Sequence, residues 1–176
     1  MSPIEALYQA RLVNDSHHDM REHLPTLRRY AELCPRIVEF GTRTGNSTTA
    51  FLAGGAHLFS YDVADPQFQC PPDAAHRWVF TKQDTTQLPG IPSCDMLFLD
   101  SRHTSAQVRA ELRMHHHARR FLGFHDTIAW GVKGEDGGEG VIQALLPFLA
   151  EHSRTWRVSA HFNNCCGLTI LERIGT

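Results

Sequence analysis

The sequence predicts an α/β fold, a three-layer sandwich in which a mostly parallel sheet lies between two layers of helices. Short apolar runs typical of buried strands alternate along the chain with stretches of helical periodicity. The last two strand-like runs follow each other directly, so we expect the chain to close with an antiparallel hairpin. In sheets of this kind, ligands bind outside the carboxyl ends of the strands.

The composition is that of one globular domain. The chain has 176 residues, and we expect a single domain with a helical segment at 1–34 and a core at 36–176. Lys and Arg number 17 against 19 Asp and Glu, which disfavours a nucleic-acid partner held by phosphate contacts. No apolar run approaches the roughly twenty residues of a membrane span, and the start lacks the apolar core of a signal peptide.

The five cysteines show no Cys-x-x-Cys spacing, so we expect neither a disulfide framework nor a zinc knuckle. A reducing, cytoplasmic location follows as an expectation. The 12 histidines include two clusters, His17-His18 and His115-His116-His117. Either cluster could bind a metal, but histidines grouped on helix surfaces are more often solvated, and we expect that here.

The first half of the chain is predicted to contain three helices and three strands. Helical spacing and a proline suited to a first turn predict helices at Pro3–Val13, from Pro25 to Cys34, and at Ser47–Leu52. Apolar runs predict strands at Arg36–Phe40, His57–Asp62 and Trp78–Lys82. Between the last two strands, Asp65–Pro72 is a proline-bearing loop rather than a crossover helix.

The second half starts with a strand at the centre of the sheet, Asp95–Asp100, whose continuous apolar run predicts burial on both faces. Thr104 and Gln107 resemble a capping box that opens a helix. The run at Phe121–Asp126 predicts the next strand, and the glycine-rich segment 131–140 after it is a candidate lid. A last helix, Val141–Ala150, follows, and its inward residues are expected to be Ile142, Leu145, Leu146 and Leu149. The hairpin strands end the chain.

The most informative stretch joins the first strand to its helix. Glu39 ends the strand, Gly41 and Gly45 follow with three residues between them, and Ser47-Thr48 could cap the helix. Gly41 would allow a sharp turn, and Gly45 would let a ligand approach the backbone. The Glu39 carboxylate is expected to face that ligand, where it would repel a pyrophosphate but attract an ammonium group.

Two further acids end neighbouring strands. Asp62 lies 21 residues after Gly41, at the spacing where dinucleotide-binding folds place a carboxylate against ribose hydroxyls. Asp84 follows the third strand and could accept a hydrogen bond from an exocyclic amine such as that of adenine. An acid at a strand end is equally common as a turn or cap residue, and that alternative stays open for Asp84.

These features resemble class I S-adenosylmethionine-dependent methyltransferases, which have a Rossmann-like, seven-stranded sheet with an antiparallel last strand. More narrowly, Phe98–His103, Gly123–Thr127 and Asn163–Leu168 are similar to the macrocin O-methyltransferase and cephalosporin-hydroxylase-like group. The resemblance implies that Glu39, Gly41, Gly45 and Ser47 surround the methionine part of S-adenosylmethionine, with Asp62 at the ribose and Asp84 at the adenine.

The resemblance also implies a metal site, because related O-methyltransferases hold Mg²⁺ at the ends of the fourth and fifth strands. Asp100, His125 and Asp126 occupy those positions. Histidine is an unusual Mg²⁺ ligand, so Mn²⁺ or another transition metal is an alternative, or His125 could be the general base. His103 is the second candidate base, or it could simply brace the start of the next helix. Ser101 and Arg102 replace a Gly and an Asp of the group's pattern, which puts any role of that second acid in doubt.

The leading hypothesis is therefore an S-adenosylmethionine-dependent, metal-assisted O-methyltransferase acting on a small hydroxylated acceptor such as a sugar or natural product. The alternative is a non-catalytic module of the same fold that binds a cofactor or a partner. A nicotinamide-dependent oxidoreductase is disfavoured because the third fingerprint glycine is absent in register. The sequence leaves open the acceptor and whether the chain forms a homo-oligomer.

Overall fold

The residues that the computed structural model describes, 1–13 and 19–175, form five α-helices and seven strands. The helices are α1 (Pro3–Val13), α2 (Leu24–Leu33), α3 (Asn46–Ala53), α4 (Ser105–Leu112) and α5 (Val141–Glu151). The strands are β1 (Arg36–Phe40), β2 (His57–Asp62), β3 (Trp78–Lys82), β4 (Cys94–Leu99), β5 (Ala118–His125), β6 (Trp156–Phe162) and β7 (Leu168–Arg173). The pair His17 and His18 lies outside the described residues.

The strands form one mixed sheet in the order β3-β2-β1-β4-β5-β7-β6. The first five strands are parallel, and β7 pairs antiparallel to both β5 and β6. The strand order reverses between β1 and β4, which is the position where sheets of this topology open a ligand crevice. Every residue of β4 is buried, as predicted for the central strand.

Alternating side chains of the strands divide the core into two halves on opposite faces of the sheet. On one face Ile37, Leu58 and Phe98 pack with residues of α1, α2 and α3. On the other face, Val38 and Leu97 pack with residues of α4 and α5. The sheet therefore lies between two helical layers, and the predicted three-layer α/β sandwich is confirmed.

Local signals explain where two of the helices, α2 and α4, begin. Pro25 lies in the first turn of α2, where its missing N–H would have no partner in any case. Thr104 caps α4, because its side chain accepts a hydrogen bond from the Gln107 amide at 3.2 Å. The other half of the predicted capping box does not form, since the Gln107 side chain turns instead toward Thr85 and Glu111.

The inward face of α5 differs from the prediction. Leu145 is buried, but Leu146 is 59% exposed, and the buried positions are instead Val141, Ala144 and Phe148. The helix presents its 141, 144, 145 and 148 positions to the sheet, so the buried stripe lies about one residue away from the expected one.

The described helices include none that is both long and apolar enough to cross a membrane. The five cysteines are free thiols. The second histidine cluster, His115–His117, forms a short 3₁₀ turn. Within it, His115 accepts a hydrogen bond from the Trp156 indole at 3.2 Å, and burial beside His152 lowers the pKa of His115 to about 4. No three-donor metal group among the described residues includes this cluster.

Phe98 joins the central strand β4 to the helices on one face of the sheet, because its ring lies 5.3 Å from that of Phe51 on α3. We expect Phe98→Ala to lower the free energy of unfolding by about 3–5 kcal/mol, since it leaves a cavity in a fully buried site. Val79→Ala, at a half-exposed position on the edge strand β3, should change it by only about 0.5 kcal/mol or less. Urea unfolding of both variants measures the difference, and equal losses would show that this aromatic contact is not part of the core.

Candidate active site

The carboxyl ends of the five parallel strands surround a cavity of about 550 Å³. This volume is typical of small-molecule sites, which measure about 300–1,000 Å³. Most of the residues singled out in the sequence line this cavity, namely Gly41, Ser47, Asp62, Asp84, Asp100, His103 and Asp126. Three others, Glu39, Gly45 and His125, lie behind its wall.

The glycine turn after β1 is shaped by contacts inside the protein. Gly41 has a φ of +91°, and a Cβ atom there would lie 2.0 Å from the backbone oxygen of Asp100. Gly45 has a φ of +74°, and a Cβ atom there would lie 2.4 Å from the Phe68 ring. The expectation that Gly45 exposes backbone to a ligand does not match this geometry, because Phe68 covers it.

Asp62 holds the glycine turn in place. One carboxylate oxygen accepts hydrogen bonds from the backbone amides of Thr42 at 2.8 Å and Arg43 at 3.1 Å, and the other accepts one from Ala64 at 3.0 Å. Arg43 adopts a φ of +43°, a left-handed conformation that is uncommon outside glycine. Asp62 also lines the cavity, where it is accessible to a ligand. Its contact with a ribose stays a prediction.

Glu39 is fully buried and does not face the cavity. Its carboxylate accepts hydrogen bonds from the hydroxyls of Ser47 at 2.6 Å, Thr48 at 2.8 Å and Ser60 at 2.6 Å. The side chain points to the same face of β1 as Ile37, under the first turn of α3, because alternate strand residues share a face. The prediction that Glu39 faces a ligand is therefore at odds with the structure, and burial raises the pKa of Glu39 to about 7.

Asp84 performs the alternative role left open by the sequence. Its carboxylate accepts hydrogen bonds from the Thr86 amide at 2.8 Å and the Thr86 hydroxyl at 2.7 Å, and so caps a short 3₁₀ turn at Thr85–Gln87. The residue is exposed at the cavity wall. Capping and an adenine contact do not exclude each other, and the adenine contact stays a prediction.

Two carboxylates and two imidazoles converge at the ends of β4 and β5. The Nδ1 atom of His125 lies 3.1 Å from both Asp100 Oδ1 and Asp126 Oδ2. The Nε2 atom of His103 lies 2.8 Å from Asp126 Oδ2 and 3.4 Å from Asp100 Oδ1. Asp100, His103, His125 and Asp126 thus lie together, and the metal-binding and catalytic roles predicted for them stay predictions.

The neighbours of His125 determine where its protons lie. Its Nε2 atom is 3.0 Å from the carbonyl oxygen of Asp19 and 3.1 Å from that of Cys165. Carbonyl oxygens only accept, so Nε2 carries a proton. The Nδ1 atom then either carries a second proton or binds a cation between the carboxylates. Burial alone would lower the pKa of His125, but the charge of Asp100 outweighs it and raises the pKa well above its usual value.

His103 has the same two carboxylate partners. Burial would lower its pKa, but hydrogen bonds to Asp100 and Asp126 outweigh burial and raise the pKa to about 10. Its Nδ1 atom lies 3.2 Å from Glu135 Oε2. In this arrangement His103 is an imidazolium at neutral pH, and it is a proton donor rather than a base.

The glycine-rich segment predicted as a lid contains no helix or strand, but it is fastened to the start of α4. The Ser105 amide donates to the Glu139 carbonyl at 2.8 Å, and the Glu135 amide donates to the His103 carbonyl at 3.3 Å. Just before the segment, the Trp130 ring stands parallel to the His103 ring, with centroids 6.4 Å apart. A lid function stays a prediction.

Three acids of the site were missed in the sequence. Asp19 supplies a carbonyl to His125, and Glu135 pairs with His103 from within the glycine-rich segment. Glu111 on α4 is buried beneath the cavity wall. Only Glu111 had a usable signal, since it interrupts the apolar face formed by Val108 and Leu112. Asp19 contributes a backbone atom, which sequence does not reveal.

No protein-family model matches the chain, and no curated protein matches its sequence. Solved structures do match it. A Burkholderia thailandensis 1,6-didemethyltoxoflavin-N1-methyltransferase has a TM-score of 0.65 at 16% identity, over 98% of this chain and 85% of that one. The Streptomyces achromogenes O-methyltransferase TomG, solved with S-adenosylmethionine, has a TM-score of 0.59 at 16% identity, over 99% and 100%.

The N-methyltransferase NodS from Bradyrhizobium japonicum has a TM-score of 0.62 at 16% identity, over 92% of this chain and 100% of that one. At such identities the similarity shows the fold alone. The chain has the Rossmann-like class I methyltransferase fold, as the sequence predicted.

The buried carboxyl of Glu39 generates a pH prediction. As pH rises from about 4.5 to about 7, the unfolded chain loses this proton while the folded chain keeps it, so folding is progressively penalised. We expect Glu39→Gln to gain up to about 3 kcal/mol of unfolding free energy relative to wild type across this interval. Urea unfolding at pH 5 and pH 8 measures the difference in unfolding free energy between Glu39→Gln and wild type, with Glu32→Gln on the surface of α2 as control. A difference independent of pH would contradict the prediction.

Proposed function

We propose that this protein is an S-adenosylmethionine-dependent methyltransferase, a single catalytic domain that methylates a hydroxyl group of a small acceptor. The observation that carries the proposal is the convergence of Asp62, Asp84, Asp100 and Asp126 on one cavity, at the switch point of a class I methyltransferase fold. Their alignment along the strand ends supports a nucleoside at one end of the cavity and chemistry at the other.

The residues at the first end suit the cofactor. Thr42 is 3% exposed and lines the cavity, and its hydroxyl is buried without a partner among the described residues. A buried hydroxyl of this kind is normally hydrogen-bonded, which supports a polar ligand beside it. Asp62 and the amides it orders lie next to Thr42, and we propose that they hold the ribose and the methionine part.

The residues at the second end suit a divalent cation. One ligand atom from each of Asp100, His125 and Asp126 lies within 4.8 Å of the other two. The remaining ring nitrogen of His125 donates to backbone carbonyls, as metal-binding histidines usually do. These three residues would hold the cation, and an imidazole among the donors favours Mn²⁺ or another transition metal beside Mg²⁺.

A bound cation would lower the pKa of an acceptor hydroxyl. The chain's own residues supply position and proton transfer. Asp100 and Asp126 keep His103 protonated in this structure, so His103 becomes a proton acceptor only when another cation balances their charge. Methyl transfer is an in-line displacement at sulfur-bound carbon, which requires alignment more than covalent participation. His103, between the cavity and Trp130, is placed to orient the acceptor.

The non-catalytic alternative is less well supported. A binding module has no reason to bring two acids and two histidines within hydrogen-bonding distance at a cavity. The macrocin O-methyltransferase-like group, a cytoplasmic location and the sugar or natural-product acceptor remain parts of our proposal that rest on the sequence resemblance and composition.

Calorimetric titration tests the cofactor. We expect the wild type to bind S-adenosylmethionine, and Asp62→Ala to weaken binding at least about tenfold, because it removes an acceptor and loosens the glycine turn. Glu32→Ala, remote from the cavity, is the matched acid control. No wild-type binding at millimolar cofactor would overturn the proposed function.

Titration with Mn²⁺, followed by the electron paramagnetic resonance of the free ion, tests the metal. We expect Asp100→Ala to abolish tight Mn²⁺ binding and chelators to abolish methyl transfer. Asp95→Asn is the control, since Asp95 is a buried acid at the opposite end of β4, paired with Arg119. Equal Mn²⁺ binding by the wild type and Asp100→Ala would show that Asp100 does not hold the cation, and methyl transfer that persists with chelator would show that the site works without one.

A further inference from the structure

Three side chains of the cavity wall converge on one buried carboxyl group that the chemistry above does not use. Glu111 has no exposed surface. Its Oε1 atom accepts hydrogen bonds from the hydroxyl of Ser101 at 2.5 Å, the hydroxyl of Thr85 at 2.5 Å and the amide nitrogen of Gln107 at 2.9 Å. All three donors line the cavity, next to Asp84.

These contacts use every O–H and N–H hydrogen of the three donor side chains. A hydroxyl has one hydrogen, and those of Ser101 and Thr85 both point at Glu111. The Gln107 amide has two, one directed at Glu111 and the other at the Thr85 oxygen at 2.9 Å. The three side chains can therefore offer a ligand only lone pairs, such as those on the Ser101 oxygen and on the Gln107 carbonyl oxygen. They can therefore only accept hydrogen bonds from a ligand.

The arrangement requires that Oε1 of Glu111 accepts. A carboxylate accepts all three hydrogens there, and so does a carboxylic acid whose proton lies on Oε2. The Oε2 atom is buried with no hydrogen-bond partner among the described residues. An unsatisfied buried oxygen destabilises the fold, so packing gives no reason for an acid at this place.

We propose that Glu111 is a positioning residue that turns this edge of the cavity into a surface of acceptors and so selects a ligand that presents an amino group there. The inference rests on the proposed function. With the ribose at Asp62, the purine extends toward Asp84, Ser101 and Gln107, and the selected group is the 6-amino group of adenine. A 6-oxo purine would place its own acceptor against the same lone pairs.

Calorimetry with S-adenosylhomocysteine and its 6-oxo analogue, S-inosylhomocysteine, tests the proposal. We expect the wild type to prefer the 6-amino compound by about tenfold or more, because an unpaired buried acceptor opposes the wrong ligand. Glu111→Gln keeps an accepting oxygen and should keep the preference. Glu111→Leu releases the three donors, whose hydrogens can then turn to the cavity, and should lower the ratio several-fold.

A purely structural role for Glu111 would weaken both compounds equally, so the affinity ratio separates the two roles. Ser101→Ala provides a second route if Glu111→Leu does not fold: it removes one acceptor and should lower the ratio several-fold. Ser105→Ala, whose hydroxyl bonds to Arg109 outside the cavity, is the control and should leave the ratio unchanged.

A failure of the proposed function can be distinguished from a failure of the role proposed for Glu111. A wild type that binds neither compound overturns the proposed function and this inference with it. A wild type that binds S-adenosylhomocysteine but does not distinguish the 6-oxo analogue overturns only the role of Glu111. The same holds for a preference that survives unchanged in Glu111→Leu, or in Ser101→Ala where Glu111→Leu does not fold.

Discussion

The close approach of two strand ends is the constraint on which the site depends. The amide of Gly41 donates to Tyr61 on β2 and the amide of Asp100 donates to Phe40 on β1, both at 2.8 Å. These bonds continue the sheet past the last paired residues and leave no room for a side chain at Gly41. The glycine turn and the acid at the end of β4 therefore form one rigid unit, and the cavity opens directly above it.

A buried glutamate organises polar groups on each side of this unit. Glu39 gathers three hydroxyls beneath α3, and Glu111 gathers two hydroxyls and an amide beside α4. Each fixes the direction in which its donors point, and a buried acid that satisfies several donors makes their conformations interdependent. Two carboxyl groups that do not themselves line the cavity thus order parts of its walls.

At the ends of β4 and β5, cations rather than hydroxyl and amide donors balance the carboxylates. Asp100 and Asp126 are each opposed by the same two histidines, so protons on the imidazoles and a metal cation are competing ways to neutralise the pair. Backbone carbonyls from Asp19 and Cys165 hold the outer nitrogen of His125. Segments far apart in the sequence consequently determine which cation this site favours.

The sequence by itself determined the fold class, the bounds of β1, β2 and β3, and the strand-end positions of Asp62, Asp84, Asp100 and Asp126. Apolar runs, helical spacing and the position of an acid after a strand are local properties, and parallel strands bring such positions to one edge. Only the tertiary structure decided what each side chain meets. Glu39 lies under α3, and Phe68 covers Gly45. The Gln107 side chain bonds to Glu111 instead of completing the cap, and the Asp19 carbonyl contacts His125. The sequence does not reveal these contacts, because the partners come from distant segments that packing alone brings together.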